Sequence, residues 1–267
     1  MEKDNIFTRL WDDYSTQNPS VKKIHSLFEE AGEVVINDHI AFRTFNDPRI
    51  SKEVLAKPFL QAGYEVKDYY DFAAKHLKAF HLEHPTDELA PRVFISELLL
   101  EEFSAELQNA ITSIIEAIPE EYYFSDELIF SGRVWDNASY QTYLTLIDES
   151  EYAAWVYAHG YHANHFTVSV NRLQKLNTLE SVNSFLESNG HPLLTAGGAI
   201  KGSPEQLLQQ SSTLADIIPV AFTDGVHEIP SCFYEFARRF PDKDGKLFSG
   251  FIAKSADKIF ESTNFKK

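Results

Sequence analysis

The chain has 267 residues, a formal net charge of −16 and a hydrophobic fraction of 43% that includes 21 Phe. This length and composition allow one large domain or two small ones around a sizeable core. The acidic balance argues against nucleic acid and an anionic membrane surface as main partners, since both require basic patches on the protein. It does not exclude an anionic small molecule, because one local arginine can override the overall charge.

The cysteine content and the hydropathy pattern indicate the cellular compartment of the protein. Cys232 is the single cysteine, so no internal disulfide can form, and no run of about 18 apolar residues is present to span a membrane. The first residues, MEKDNIFTRLWDDY, lack the basic and then apolar order of a secretory signal. We therefore expect a cytoplasmic protein in a reducing environment.

The first hundred residues predict helices followed by a module of one strand, one helix and three strands. Apolar residues recur at helical spacing over 1–35, with an interruption at Asn18-Pro19. Residues 37–45, NDHIAFRTF, alternate as a strand does. A helix at 51–62 and strands at 64–72, 77–84 and 92–100 complete this βαβββ module.

The second part of the chain repeats this order after a connection. A helix is expected at 104–117, and the aromatic-rich stretch 120–160 contains a segment, 138–146, that is compatible with helix or strand. A second module begins with the strand 164–170, NHFTVSV. Its helix and three extended runs are expected at 178–188, 193–199, 214–222 and 232–240.

One polar segment of the second module, 201–212 or KGSPEQLLQQSS, has two interpretations. Its composition predicts a connecting loop with a short helix. The alternative is a segment that crosses the mouth of a pocket and offers amide donors to a substrate.

Pairing of the two modules would form an α+β protein with a half-open barrel, added helices and a shared pocket. We expect a single domain over 1–267. Its parts are a first module at 37–100, a helical and aromatic connection at 101–163, a second module at 164–240 and a C-terminal tail at 241–267. Such a duplication would bring together side chains that lie more than a hundred residues apart.

The strand 37–45 carries the first candidate site residues. His39 and Arg43 point the same way from an apolar strand, and neither is easily buried without a partner. Four residues of strand span about 13 Å. This spacing suits a metal held near His39 and a carboxylate bound by Arg43, with a short organic acid between them.

Two further residues extend this site. His165 occupies the place in the second module that His39 has in the first, and Glu235 lies among aromatic residues on the last strand. Each residue alone is more often structural, for example Glu235 paired with Arg238 or Arg239. Together, two histidines and a carboxylate form the facial triad of non-haem Fe(II) oxygenases, which leaves positions for a bidentate 2-oxo acid and O₂.

Other chemistry-bearing residues compete with this set. Glu97 could be a fourth ligand or an acceptor for a ligand histidine. His159 and His162 are expected in a loop, where either could act as acid or base, and His227 could close over the pocket. His81 with Glu83 is expected to be exposed or paired. Nothing marks Cys232 as a nucleophile.

Five motifs together resemble those of the 2-oxoadipate dioxygenase/decarboxylase family, also called hydroxyglutarate synthases, over about residues 5–255. The motifs are NDHIAFRTF, FISEL at 94–98, NHFTVSV, LLQQSSTLA at 207–215 and IPSCFYEFARRF. The resemblance implies a fold related to the vicinal oxygen chelate superfamily. It implies Fe(II) bound by two histidines and a glutamate, which fall on His39, His165 and Glu235, and substrate binding by the arginine at Arg43.

The implied reaction converts 2-oxoadipate and O₂ to 2-hydroxyglutarate and CO₂, a step of lysine catabolism. Arg43 is the expected catalytic residue, and we expect His39, Arg43 and His165 to contact the substrate. The chain is shorter than the long members of the family, so the metal ligands and Arg43 should carry over more directly than the substrate does.

Two alternatives remain at this point. One is a glyoxalase-like isomerase or lyase with Zn²⁺ or Ni²⁺, in which Glu97 becomes a fourth ligand. The other is a non-catalytic protein that binds a small molecule. The sequence leaves the oligomeric state open.

Overall fold

One mixed β-sheet flanked by helices forms the framework of the protein. The computed structural model describes residues 2–252. Within that range the α-helices are α1 (Lys3–Gln17), α2 (Pro19–Glu30), α3 (Lys52–Gln61), α4 (Ala105–Glu116), α5 (Tyr140–Glu149), α6 (Glu151–His159) and α7 (Leu179–Ser188). The strands are β1 (Asn37–Phe45), β2 (Glu65–Phe72), β3 (Leu77–Glu83), β4 (Arg92–Leu98), β5 (His165–Ser169), β6 (Lys201–Ser203), β7 (Leu208–Ser212), β8 (Ile217–Phe222), β9 (Gly225–Pro230) and β10 (Glu235–Arg239).

Asn18 fixes the break between α1 and α2, as its dipeptide with Pro19 predicts. Its side chain donates to the Tyr14 carbonyl at 2.7 Å and accepts from the backbone N–H of Cys232 at 3.0 Å. Pro19 starts α2, where its fixed φ and missing N–H suit the first turn. The buried face of α1 packs on the sheet through Tyr14, whose ring lies 4.9 Å from that of Phe166.

The sheet has two halves with the same internal arrangement. Its order, among the described residues, is β2-β3-β4-β1-β5-β10-β7-β6. In the first half β1 pairs with β4 in parallel, and in the second half β5 pairs with β10 in parallel. The halves join where β1 and β5 pair antiparallel. The predicted α+β fold of two paired βαβββ modules in a half-open barrel is therefore confirmed.

The first module agrees closely with its predicted elements. The ends of α3 and of β1 to β4 differ from the predicted ends by at most two residues. The strand β1 lies at the centre of the sheet and is buried from Asp38 to Phe45. A polar side chain on such a buried strand needs a hydrogen-bond partner. His39 and Arg43 on β1 therefore indicate a functional site.

Two of the extended runs predicted for the second module need correction. The run 193–199 contains no strand, because a turn at Gly197 and Gly198, both with positive φ, redirects the chain. The run 214–222 is extended only as β8, which pairs with β9 in a separate hairpin and not with the main sheet. That hairpin is an insertion between the last two strands of the module.

The polar segment 201–212 forms strands β6 and β7, joined by a single 3₁₀ turn at Pro204–Gln206. The predicted short helix is present as that turn, whereas the predicted connecting loop is wrong. The polarity of the segment concealed the strands, because Gln210 and Ser211 are buried through hydrogen bonds to other side chains. Gly202 is required here, since its φ is 78° and an added Cβ would lie 2.1 Å from the carbonyl oxygen of Leu208. Pairing with β7 leaves no room for any other residue.

The connection between the modules is helical. The ambiguous segment 138–146 belongs mostly to α5. The next helix, α6, is buried from Tyr152 to His159, so it has no exposed face and no periodic pattern in its sequence. The expectation that His159 lies in a loop is wrong. The single-domain division and its boundaries stay predictions, and the last part of the predicted tail, 253–267, lies outside the described residues.

Candidate active site

A pocket opens where β1, β4, β5, β7 and β10 meet. β1 contributes His39, Ala41 and Arg43, as strand alternation predicts. Phe42 of β1 also lines the pocket. The other lining residues come from the neighbouring strands, from the residues just before β5 and β10, and from the segment after β10: Phe94, Ser96, Asn164, His165, Gln210, Phe233, Glu235, Phe251 and Ile252. Mostly apolar walls with a few convergent polar groups are typical of a site for a small molecule.

Strand register brings two histidines and a glutamate together in this pocket. His39 lies opposite Thr167 on β5, and Thr167 lies opposite Glu235 on β10. His165 stands two residues before Thr167, on the same face. One nitrogen of each imidazole and one carboxylate oxygen lie within 4.8 Å of one another, and all three side chains are buried. The convergence predicted for His39, His165 and Glu235 is therefore present.

The carboxylate of Glu235 has one satisfied oxygen and one open oxygen. Oε1 accepts from Gln210 Nε2 at 2.6 Å and from Thr167 Oγ1 at 3.3 Å. Oε2 has no hydrogen-bond donor among the residues that the structure describes, and His165 Nε2 lies 3.8 Å from it. Burial alone would raise the pKa of Glu235, but the nearby His165 and His39 lower it. His39 Nε2 lies 3.2 Å from Oε1, so each imidazole faces one oxygen of the carboxylate. A buried carboxylate with one oxygen lacking a donor, between two imidazole nitrogens, fits a divalent metal.

Each histidine has an acceptor from the residue directly before it. Nδ1 of His39 lies 2.8 Å from Asp38 Oδ1, and Nδ1 of His165 lies 3.0 Å from Asn164 Oδ1. A β-bulge at Asp38 makes the first contact possible, because the register with β5 shifts there. Such acceptors fix the tautomer that presents Nε2, the atom available to a metal.

The two imidazoles differ in their pKa. Although burial opposes it, the carboxylates of Asp38 and Glu235 raise the pKa of His39. Burial lowers the pKa of His165 to about 3. His165 is therefore neutral at physiological pH, the state in which a histidine binds a metal.

Arg43 is the buried cation of the pocket. Only 3% of Arg43 is exposed, and its guanidinium lies 5.1 Å from the centre of the Tyr152 ring and 5.4 Å from that of Trp155. The Tyr152 hydroxyl is held in turn by the Ser96 carbonyl at 2.7 Å. Burial lowers the pKa of Arg43 from its ordinary value, yet a guanidinium stays charged at physiological pH. The aromatic side chains position a fixed positive charge at the pocket wall.

Glu97 is not part of this group. Both its oxygens accept hydrogen bonds from Lys52, one from the side chain and one from the backbone N–H at 3.2 Å. On β4, Glu97 follows Ser96, so strand alternation turns it to the opposite face of the sheet from the pocket. The interpretation of Glu97 as a ligand or as an acceptor for a ligand histidine is wrong.

The remaining histidines lie outside the pocket. His159 Nε2 lies 2.8 Å from the Pro230 carbonyl, and His162 stacks on Trp155 with a centroid distance of 5.2 Å. His227, in the β8–β9 hairpin, stacks on Tyr140 and does not cover the pocket. A further set is paired as expected: His81 lies 2.9 Å from the Tyr70 hydroxyl and 3.0 Å from Glu83. Burial raises the pKa of Cys232 to about 12, which agrees with an unreactive thiol.

Sequence reasoning missed several residues around the ligand group. The sequence offers Gln210 as an amide donor to a substrate, whereas in the structure it donates to Glu235. Phe251 and Ile252 were assigned to a tail, although they line the pocket. A usable signal existed for Asp38 and Asn164, since an acceptor side chain directly precedes each histidine. Within residues 2–252, no helix is both long and apolar enough to cross a membrane.

Known proteins resemble this chain over nearly its whole length. The family model of the 2-oxoadipate dioxygenase/decarboxylases matches residues 6–246. The chloroplastic/amyloplastic 2-oxoadipate dioxygenase/decarboxylase of Oryza sativa subsp. japonica is 37% identical, over 94% of this chain and 76% of that protein.

Solved structures agree. A crystal structure from Shewanella frigidimarina NCIMB 400, assigned provisionally as a hydrolase, has a TM-score of 0.90 and 51% identity over 94% of this chain and 98% of its own. The hydroxyglutarate synthase of Oryza sativa, in complex with 2-oxoadipate, has a TM-score of 0.91 and 34% identity over 98% of this chain and 91% of its own. A glyoxalase-superfamily protein from Ralstonia eutropha JMP134 shares the fold alone, with a TM-score of 0.76 and 19% identity over 91% of this chain and 83% of its own.

Fold and pocket thus define an α+β half-open barrel of two paired modules that carries a buried His-His-Glu group able to hold a metal. The chain belongs to the 2-oxoadipate dioxygenase/decarboxylase family. The family predicted from the five sequence motifs is confirmed.

Proposed function

We propose that this protein is an Fe(II)-dependent dioxygenase/decarboxylase that converts 2-oxoadipate and O₂ to 2-hydroxyglutarate and CO₂. One observation carries the proposal: a buried His-His-Glu group with an open carboxylate oxygen shares a pocket with a buried arginine, in a member of this family. Rice hydroxyglutarate synthase, a similar structure, is solved with 2-oxoadipate. The overall reaction balances, since the carbon lost as CO₂ is the 1-carboxylate of the substrate.

His39, His165 and Glu235 would hold the metal. A facial set of two histidines and one carboxylate is the donor set of non-haem Fe(II) oxygenases. When bound there, Fe(II) would supply chelation of the 1-carboxylate and 2-oxo group and a position for O₂. Gln210 and Thr167 keep one oxygen of Glu235 engaged, so the other oxygen stays directed at the metal position.

Arg43 would bind the far carboxylate of the substrate. It lies four residues from His39 on β1, about 13 Å along the strand, so a dicarboxylic acid would lie between the metal and the guanidinium. The rigid fork of a guanidinium forms two parallel hydrogen bonds to a carboxylate, which a lysine ammonium cannot copy. The aromatic rings beneath Arg43 hold this fork in place.

Three phenylalanines would exclude water from the reacting carbons. Phe94 lines the pocket from β4, Phe233 stacks on His165 with a centroid distance of 4.8 Å, and Phe251 packs edge-on to His39 at 4.8 Å. Between these apolar walls, the metal and the arginine would be the two positively charged contact regions, which favours an acid with a carboxylate at each end.

The geometry weakens both alternatives. The glyoxalase-like alternative requires Glu97 as a fourth metal ligand. Glu97 instead binds Lys52 on the other face of the sheet. A non-catalytic binding protein would not account for a His-His-Glu group in a family named for a dioxygenase/decarboxylase.

Location and pathway stay predictions. The cytoplasm and lysine catabolism are both compatible with the proposed reaction, whereas the similar proteins of rice and Arabidopsis thaliana are named as plastid proteins. Fractionation of the native cells would test the predicted location.

The test is O₂ consumption by the metal-free protein reconstituted with Fe(II) under nitrogen. We expect uptake with 2-oxoadipate, CO₂ in equal amount, and slower uptake with the shorter 2-oxoglutarate. Reconstitution with Zn²⁺ is the control and should give none. Turnover of the Zn²⁺ form without O₂ would contradict the proposal and favour an isomerase or lyase.

A further inference from the structure

Behind His39, on the side away from the metal position, lies a buried ion pair. Arg239 donates to both oxygens of Asp38, from Nε to Oδ2 and from Nη2 to Oδ1, each at 2.8 Å. Asp38 is in turn the acceptor for Nδ1 of His39. Asp38 is 4% exposed and Arg239 is 3% exposed, so water cannot replace either partner.

The remaining nitrogen of the Arg239 guanidinium reaches a different part of the chain. Nη1 donates to the carbonyls of Phe248 at 3.0 Å and Gly250 at 2.7 Å. These belong to residues 248–252, which we call the closing segment. A turn after β10 sends the chain back, so that Phe248 N–H donates to the Phe240 carbonyl at 3.0 Å. The guanidinium of Arg239 therefore connects the closing segment to Asp38, the acceptor for the proposed metal ligand His39.

The closing segment covers the pocket. Phe251 and Ile252 line it, and the Phe251 ring contacts the rings of His39 and Phe94 with centroid distances of 4.8 and 4.9 Å. A second anchor is the Tyr70 hydroxyl, which accepts from the Phe251 N–H at 3.1 Å. The closing segment itself is part of no strand or helix.

We propose that Arg239 is a positioning residue that couples closure of residues 248–252 over the pocket to the orientation of His39. With the segment closed, its carbonyls and Asp38 share the three donor positions of one rigid guanidinium. Asp38 is then held where it fixes the His39 ring, with Nε2 towards the metal position. With the segment displaced, Arg239 loses its carbonyl partners and Asp38 loses its fixed position.

Such coupling must be reciprocal. If the closed segment improves metal binding, metal binding must stabilise the closed segment by the same free energy. The inference rests on the proposed metal site and adds to it a segment that responds to the metal. A structural role of Arg239 alone would not make the segment respond to the metal.

The test compares amide hydrogen exchange of residues 248–251 in the metal-free and Co²⁺-loaded protein, with the Co²⁺ dissociation constant measured by calorimetry. In the unaltered protein we expect Co²⁺ to slow exchange of the closing segment. In Arg239→Gln we expect the dissociation constant to rise about 10–100-fold and the metal-dependent slowing of exchange to disappear. The ligand-field spectrum of bound Co²⁺ should change with the orientation of His39.

Arg238→Gln is the matched control. Arg238 precedes Arg239 on β10 and lies on the opposite face, over the Phe240 ring, so its removal should leave Co²⁺ affinity and exchange unchanged. In Arg239→Gln the buried Asp38 keeps Arg92, whose Nη1 lies 3.7 Å from Oδ2, but it loses its main partner, which destabilises the fold. The double variant Asp38→Asn/Arg239→Gln therefore removes both charges together. It too should lose the metal-dependent slowing.

The outcomes separate the two claims. Failure of the unaltered protein to bind Co²⁺ would overturn both the metal site and the coupling. Normal Co²⁺ binding with no change in exchange at 248–251 would overturn the coupling alone, as would a folded Arg239→Gln or double variant that keeps both the affinity and the metal-dependent slowing.

Discussion

The two halves of the sheet present their histidines from equivalent strands, but they support them differently. His39 has a carboxylate, Asp38, that is bound by a buried arginine. His165 has a neutral amide, Asn164, whose own nitrogen has no hydrogen-bond partner among residues 2–252. Duplication of a fold therefore reproduces the position of a ligand without reproducing its electrostatic surroundings. We infer that the first half fixes the metal site and that the second half completes it.

The largest expected effect concerns Glu235, a residue of the second half whose carboxylate faces the histidines of both halves. Glu235→Gln keeps the shape of the side chain and its contact with Thr167 but removes the charge that faces both histidines. We expect stoichiometric Fe(II) binding to fall to background, measured by anaerobic equilibrium dialysis and iron assay. His227→Gln, in the hairpin away from the pocket, is the control and should bind one iron per chain. Normal iron content in Glu235→Gln would remove the glutamate from the proposed ligand set.

The next effect separates substrate binding from metal binding. Arg43→Lys keeps a positive charge near Tyr152 and Trp155 but loses the two-pronged contact with a carboxylate. We expect iron content to stay normal and kcat/KM for 2-oxoadipate to fall about hundredfold, mainly through KM. Steady-state O₂ uptake measures this, and Arg49→Lys, at an ion pair with Asp47 on the surface, is the matched control. Unchanged kinetics in Arg43→Lys would contradict the proposed clamp.

The third expected effect compares Asp38 and Asn164, the residues that accept hydrogen bonds from His39 and His165. Asn164→Ala removes a neutral acceptor, whereas Asp38→Ala removes a charged one that is tied to Arg239. We expect the first to weaken Co²⁺ binding less than about tenfold and the second to weaken it more, within the 10–100-fold range of such partners. Calorimetry on both variants checks this order. Equal losses would mean that the two halves support their ligands alike.

The smallest effect tests a contact that ties the start of the chain to the second half. Glu33 accepts from the backbone N–H groups of Gln174, Lys175 and Leu176 at 2.7 to 2.8 Å. Burial alone would raise the pKa of Glu33, but these donors lower it. Glu33→Gln should lower the free energy of unfolding at pH 7 by about 1 kcal/mol.

The pH dependence of this contact has a definite sign. Because the folded protein holds the pKa of Glu33 below its unfolded value of about 4.3, the stabilisation is complete above that value. It is lost as the pH falls through the folded pKa. The difference in stability between the two proteins, measured by urea denaturation, should therefore be constant from pH 7 to about 5 and shrink below. A difference that grows in acid would contradict this account.

Much of the site could be predicted from sequence because its ligands lie at equivalent places in a repeated pattern. His39 and His165 each follow a polar residue near the start of a strand, and alternation predicts their faces correctly. The order of elements also revealed the duplication without sequence identity between the halves. These features depend on local periodicity, which sequence displays directly.

The rest depended on contacts that only the folded chain forms. β6 and β7 are polar strands whose burial requires partners elsewhere, so their composition predicted a loop. Arg239 was considered as a partner of Glu235, but it pairs with Asp38 across the sheet because Asp38 occupies a bulge. Phe251 reaches the pocket through a turn that no hydrophobic pattern indicates. The pairing of polar side chains that lie far apart in sequence, rather than the secondary structure, therefore limits what the sequence can predict of the site.

The central claim is that this pocket places both atoms of O₂ in the 2-hydroxy acid product, one in the new carboxylate at the former 2-oxo carbon and one in the hydroxyl group. The most direct measurement is mass spectrometry of the 2-hydroxyglutarate formed from 2-oxoadipate under ¹⁸O₂ by the Fe(II)-reconstituted protein. The account predicts product with two heavy oxygen atoms, since the departing CO₂ carries only oxygen of the original carboxylate. Product without heavy oxygen, or consumption of 2-oxoadipate in the absence of O₂, would contradict it.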